Sequence, residues 1–235
     1  MKLAATIGMT KHLRNDLERL ERRLLSLGSR VEEAVRKAIT SLLERRPDLA
    51  AKVEEGDNEI DGEEVEIEEE CLKILALHQP VATDLRFVAA VLKINNDLER
   101  IGDLAVNIAK RAQSLSGELP FPVPPRMRAM VDAVTRMLHR SLDAFVRADI
   151  EVARSVLAED GKVDGMNRAI IDELIHEMKT DSSRLDQALL HFSVSKNLER
   201  IADHATNIAE DVVYMVEGEI IRHNLPEEVE EQLGS

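Results

Sequence analysis

Apolar residues fall at Leu13, Leu17, Leu20, Leu24, Leu27, Val31, Ala34 and Ala38. The steps alternate between four and three, which lays one apolar stripe along a helix packed in a bundle. Gly28 weakens that helix locally without shifting its register. Arg45-Arg46-Pro47-Asp48 ends it, because Pro47 cannot continue a helix comfortably and disfavours helical geometry at Arg46. A second helix is expected from about Leu49 to His78, with Val53, Ile60, Ile67, Cys71 and Ile74 on one side. Gln79-Pro80 breaks the pattern, and a third helix is expected from about Asp84 to Ser114. Between Leu115 and Pro125 four prolines and a glycine make a stiff, non-helical connection. The plan then repeats, with helices expected over about 127–147, 150–178 and 183–216 and Gly218 as the last stop. Short turns between long helices imply antiparallel packing. The expected fold is all-α: two tandem antiparallel three-helix bundles related by internal pseudo-symmetry. Residues 1–118 would form the first, and residues 119–235 the second with an acidic tail.

Composition supports helix. Aromatic residues are 2% of the chain, with no Trp and one Tyr, Tyr214, whereas strands favour aromatic and β-branched residues. The formal net charge is −14. A surface this acidic is repelled by nucleic-acid phosphates and by anionic membranes, so cations and basic protein surfaces are the expected partners. The one cysteine, Cys71, excludes an internal disulfide framework and reads as a small packing residue. No apolar run approaches the ~18 residues that span a bilayer. Met1 to Met9 is too weakly apolar for a secretory signal, so the expectation is a cytoplasmic protein without direct membrane insertion.

The chemistry lies in a duplication. Leu98-Glu99-Arg100-Ile101-Gly102-Asp103, followed by Asn107-Ile108-Ala109, returns as Leu198-Glu199-Arg200-Ile201-Ala202-Asp203, followed by Asn207-Ile208-Ala209. Each copy places two carboxylates four residues apart, which repel on one helix face unless a cation bridges them. Each half has a second pair at the same spacing, Asp57 with Asp61 and Asp160 with Asp164. In an antiparallel hairpin, residues equally far from the turn lie at one height. Residues 57 and 103 share their midpoint, Pro80, with 61 and 99; residues 160 and 203 share theirs, between Asp181 and Ser182, with 164 and 199. The loops differ in length by three residues, yet both quartets stay in register. The acids fall off the apolar stripe of Leu98, Ile101, Ala105 and Ile108 and should line an open outer face. Oxygen-only donors suit hard cations such as Mg²⁺, Ca²⁺, Mn²⁺ or Fe³⁺. His204 has no counterpart in the first half, where Leu104 stands, and reads as a surface histidine.

Enzyme signatures are weak. Di-iron bundles use two Glu-x-x-His motifs pointing inward, and this chain has one, Glu173 to His176. There is no Gly-rich phosphate loop, no Gly-x-Ser-x-Gly, and nothing that orders a nucleophile against a base. The reading is a non-enzyme. A helical scaffold with solvated acidic faces is the alternative, and a metal-dependent hydrolase the remoter one.

Residues about 10 to 220 resemble the PhoU family of accessory and regulatory proteins of bacterial high-affinity phosphate transport. The likeness is carried by Asp97 to Asp103, by the mirrored Asn197 to His204, and by Gln79-Pro80-Val81-Ala82-Thr83-Asp84-Leu85-Arg86. It implies two three-helix bundles and multinuclear metal clusters on their surfaces. The metal-ligand candidates carried across are Asp57, Asp61, Glu99, Asp103, Asp160, Asp164, Glu199 and Asp203. Relatives vary in metal, iron and zinc among them, so Fe, Zn, Mn or Mg all stay open. The resemblance further implies a negative regulator of phosphate uptake and of the starvation response. Its implied partners are the phosphate ABC transporter ATPase subunit and the phosphate-sensing histidine kinase, and a homodimer is expected. The second half departs from the motif at Ala202 and Asn197, and it has no clear copy of the Gln-Pro-Val-Ala turn.

Overall fold

Pro47 begins a helix instead of following one. In the computed structural model, which describes residues 11–117 and 123–221, α1 spans Lys11–Leu43 and α2 spans Pro47–His78. The first helical position suits proline, because its missing N–H would have no partner there. Helix α3 spans Ala82–Ser116 and α4 spans Pro125–Arg147, again with proline at the start. The stripe of α1 is buried as expected through Val31, after which Val35 replaces Ala34 at the centre of the buried face. That drift follows from 3.6 residues per turn against a seven-residue repeat.

The expected fifth helix is two. Helix α5 spans Ile150–Leu157 and α6 spans Asp160–Thr180. At the break the Glu159 amide donates to the Val156 carbonyl at 3.0 Å, a tighter turn than an α-helix makes. Arg140 of α4 donates to both Ser155 and Glu159, one side chain on each side of the corner. Neither glycine nor proline stands at 158 or 159, and the one local turn signal is Asp160-Gly161 just after the corner. A short 3₁₀ turn, Ser182–Arg184, leads into α7, Leu185–Glu217. Asp181 organises it by accepting from the Ser183 amide (3.1 Å) and hydroxyl (2.6 Å). Gly218 closes α7 at φ 81°, its amide donating to the Tyr214 carbonyl at 2.9 Å. No strand occurs among the described residues, and no described helix is long and apolar enough to cross a membrane.

Each half is a three-helix bundle, the second with its middle helix kinked into α5 and α6. The halves do not hang apart on the proline connection. They pack through α3 and α7, the central helix of each, while α1 also meets α4. At the α1–α4 contact a Cβ on Gly28 would come within 3.2 Å of Leu142, so the glycine is where the two helices approach. Lys93 pairs with Asp211 at 2.8 Å, Asp97 with His204 at 2.7 Å, and Arg111 donates to Ser193 at 3.2 Å. Rising numbers on α3 meet falling numbers on α7, so this seam is antiparallel.

Candidate metal centre

Each acidic quartet is carried by two neighbouring helices: Asp57 and Asp61 on α2 beside Glu99 and Asp103 on α3, and Asp160 and Asp164 on α6 beside Glu199 and Asp203 on α7. Buried polar contacts hold these helices in register a turn away. Asn95 of α3 donates from Nδ2 to the carbonyl and to the carboxylate of Glu64 on α2, at 2.9 and 3.1 Å. In the second half Ser195 of α7 donates to Asn167 of α6 at 2.8 Å. Position 95 corresponds to 195 and 64 to 167, so the same tie is built twice from different side chains. The tie leaves no signature in the sequence, because two different polar pairs carry no repeated letters. Gly102, between Glu99 and Asp103, lets α2 come close: a Cβ there would lie 3.3 Å from Ile60. In the other bundle the equivalent residues are Ala202 and Val163, one methyl added and one removed.

Electrostatics show which acids meet. The Asp57 carboxyl is pushed up by partial burial and then by the charges of Asp61 and Asp103. Burial, Asp103, Asp61 and Glu64 raise Glu99, against Arg100 beside it. Burial raises Asp160, together with Asp164 and Glu199. Asp203 rises furthest, to about 6, through loss of solvation and the charges of Glu199, Asp160 and Asp164, with His204 opposing. Both quartets therefore converge across their hairpins as the register argument requires.

The faces are less open than expected. Six of the eight acids are half-buried, and Asp61 and Asp203 are exposed. Existing cations offset part of the charge. Arg100 lies 3.3 Å from Glu99 and 3.6 Å from Asp103, and Lys196 lies 2.7 Å from Glu199. Asp160 Oδ1 is buried without a hydrogen-bond partner among the described residues. Mutually repelling carboxylates with an orphaned buried oxygen fit a hard cation by donor chemistry. Among the described residues, however, no group of three His, Cys, Asp or Glu side chains is placed to hold a metal ion.

Two other residues differ from expectation. His204 is not a surface histidine: it is half-buried, and its Nδ1 lies 2.7 Å from Asp97 Oδ1, which also accepts from Asn207 at 3.2 Å. It ties α7 to α3 across the seam. Glu173 of the lone Glu-x-x-His pairs with Arg126 at 2.7 Å, and His176 is exposed, so that motif faces outward.

The fold and site define a class of protein: paired three-helix bundles, each carrying interlocked carboxylate pairs on two adjacent helices. The model of the PhoU domain matches this chain twice, over residues 24–112 and 127–212. The chain belongs to the PhoU family. It is 39% identical over 224 residues to the phosphate-specific transport system accessory protein PhoU homolog of Pseudomonas putida, covering 94% of this chain and 87% of that protein. The crystal structure of PhoU from Pseudomonas aeruginosa superposes with a TM-score of 0.85 at 39% identity, covering 88% of this chain and 99% of the other. The phosphate transport system regulatory protein PhoU from Streptococcus pneumoniae gives 0.82 at 31% identity, covering 88% and 98%.

Proposed function

We propose that this protein is a non-enzymatic accessory protein of phosphate-specific transport that restrains uptake and the starvation response, with a metal-binding acidic groove on each bundle. Its relatives' names, accessory and regulatory, support the role and speak against catalysis. One observation carries the metal assignment: in both bundles the i, i+4 carboxylates of one helix raise the pKa of those on the next. Asp57, Asp61, Glu99 and Asp103 would hold one site, and Asp160, Asp164, Glu199 and Asp203 the other. A bound cation would supply positive charge that neutralises the groove and leaves an outward face for a protein partner. Those partners are the transporter's ATPase subunit and the sensor histidine kinase, at the cytoplasmic side of the membrane, with the protein itself a homodimer.

The deciding experiment is elemental analysis of protein purified without chelator, beside Glu99→Ala/Glu199→Ala, coupled to a phosphate-regulated reporter. Stoichiometric metal in the parent, its loss in the double variant and derepression of the reporter at high phosphate are expected. Metal content and repression both unchanged in the variant would overturn the assignment. A second reading, acidic faces that only keep a scaffold soluble, draws on the absence, among the described residues, of any three ligating side chains placed to hold a metal ion. It requires that the parent carry no metal and that chelation leave its melting temperature unmoved.

A further inference from the structure

The arginine inside each repeated motif is used unequally by the carboxylates: Arg100 leans on Glu99 and Asp103, whereas Arg200 pairs with neither Glu199 nor Asp203. Arg100 and Arg200 are one repeat apart, and the antiparallel α3–α7 seam brings both to the wall of a single cleft of about 710 Å³. The internal pseudo-symmetry therefore relates the two guanidinium groups across one space. Of the cleft's lining only Leu92 is apolar. Asn96 and Asn207 add amides, and Lys93 adds a third cation.

The cleft's acids are spoken for unequally. Asp97 is buried and already satisfied by His204 and Asn207, so its charge is met from within the seam. Lys93 is engaged by Asp211 at 2.8 Å. Glu210 is a further carboxylate of the lining, and it has an interaction of its own. Lys196 takes Glu199, the acid beside Arg200, and Arg200 has no hydrogen-bond or ion-pair partner among the described residues. Arg100 leans on Glu99 and Asp103 through half-exposed pairs, which hold a side chain weakly. Two guanidinium forks, one uncommitted and one loosely held, face a polar space open to water. Planar forks match tetrahedral oxyanions by paired N–H···O bonds, which a point charge cannot do.

We infer that the α3–α7 cleft binds a small phosphate-type oxyanion, either inorganic phosphate or the phosphoryl group of a small metabolite, held between Arg100 and Arg200. The cleft adjoins the first carboxylate groove through Arg100, and the inference goes beyond the proposed metal sites without requiring that they be filled.

Isothermal titration calorimetry on the full chain, stripped of metal by chelation and dialysed into chloride buffer, tests it. Inorganic phosphate is titrated in one arm and adenosine monophosphate in the other. Saturable one-to-one binding is expected, weakened about tenfold by Arg100→Ala or Arg200→Ala and lost in the double variant. Arg200→Lys should recover only part of the affinity, since the fork is gone. Binding of phosphate assigns the free anion, and binding of the nucleotide alone assigns a phosphoryl group on a larger molecule. Arg128→Ala, on α4, removes the same charge elsewhere and should leave the isotherm unchanged. Melting curves establish that the exposed-side substitutions fold, and metal content measured before chelation keeps this result distinguishable from failure of the metal assignment. No saturable binding in either arm, or equal binding by the double arginine variant, overturns the inference.

Discussion

Glu199 and its neighbours are arranged against the stability of the metal-free protein. Burial first, and their charges after it, push Asp203 up to about 6, above the ordinary 3.8 of an aspartate, and an acid raised on folding stabilises when it is protonated. That contribution is full below about 3.8 and is lost as pH rises through about 6. Glu199→Gln should therefore raise the melting temperature of metal-stripped protein at neutral pH and lower the Asp203 pKa, read by carbon-13 NMR of the carboxyl. The parent should exceed the variant once Mn²⁺ is added, because a ligand that binds only the folded state stabilises it. His191 runs the other way in the same window. Burial lowers its imidazole from 6.5 to about 4, so its neutral form stabilises above about 6.5 and the gain disappears as pH falls to about 4. The first bundle has fully buried Val91 at the equivalent place. His191→Val should flatten the acid side of the stability profile by up to about 3 kcal/mol, measured by urea denaturation across that range. At this scale the acids were legible in the sequence, because charge spacing on a helix is local. The seam role of His204 was not, since its partner Asp97 lies 107 positions away in the chain.

Between helices, geometry depends on volume at single contacts. Gly102 faces Ile60 where α3 passes α2, and Ala202 with Val163 is the same contact with the methyl moved across. Gly102→Ala alone gains helix propensity of about 1 kcal/mol but crowds a well-packed isoleucine, a cost of about 1–3 kcal/mol. In the Ile60→Val background the crowding disappears. A double-mutant cycle by chemical denaturation should show favourable coupling of about 1 kcal/mol, and additive effects would refute the contact. Arg140 braces the break between α5 and α6. Arg140→Met should speed amide exchange over 155–160 and weaken cation binding in the second groove more than in the first. A helix start at Asp160 fixes that carboxylate in the first turn, so the corner positions the acid. The existence of the helices, and the lengths of all but the expected fifth, were written in apolar periodicity. The break within the fifth was not, because Arg140 of α4, distant in sequence, holds Ser155 of α5 and Glu159 at the corner.

The whole molecule is held by its seam. Two bundles joined only by a proline-rich connection would unfold independently. Here the central helices of both halves pack against each other along α3 and α7, tied by Lys93 with Asp211, Asp97 with His204 and Asn207, and Arg111 with Ser193. Neither the apolar stripes nor the repeat announced this, because a stripe says that a face is covered and not by what. The seam lies between the two acidic grooves, on the very helices that carry Glu99, Asp103, Glu199 and Asp203. Stability gained in one groove therefore reaches the other through α3 and α7. Calorimetry should give one transition whose van't Hoff and calorimetric enthalpies agree, despite two domains' worth of sequence. Asp97→Lys would place a buried cation against His204 and beside Arg100 and Arg200, and removing one partner of a buried pair leaves the other uncompensated. The expected outcome is separation into two transitions, of which the one belonging to the first bundle no longer responds to a cation held only by the second. If Asp97→Lys melts once, merely at lower temperature, then the bundles are coupled by α1 against α4 as well, and the Gly28–Leu142 approach becomes the next contact to open.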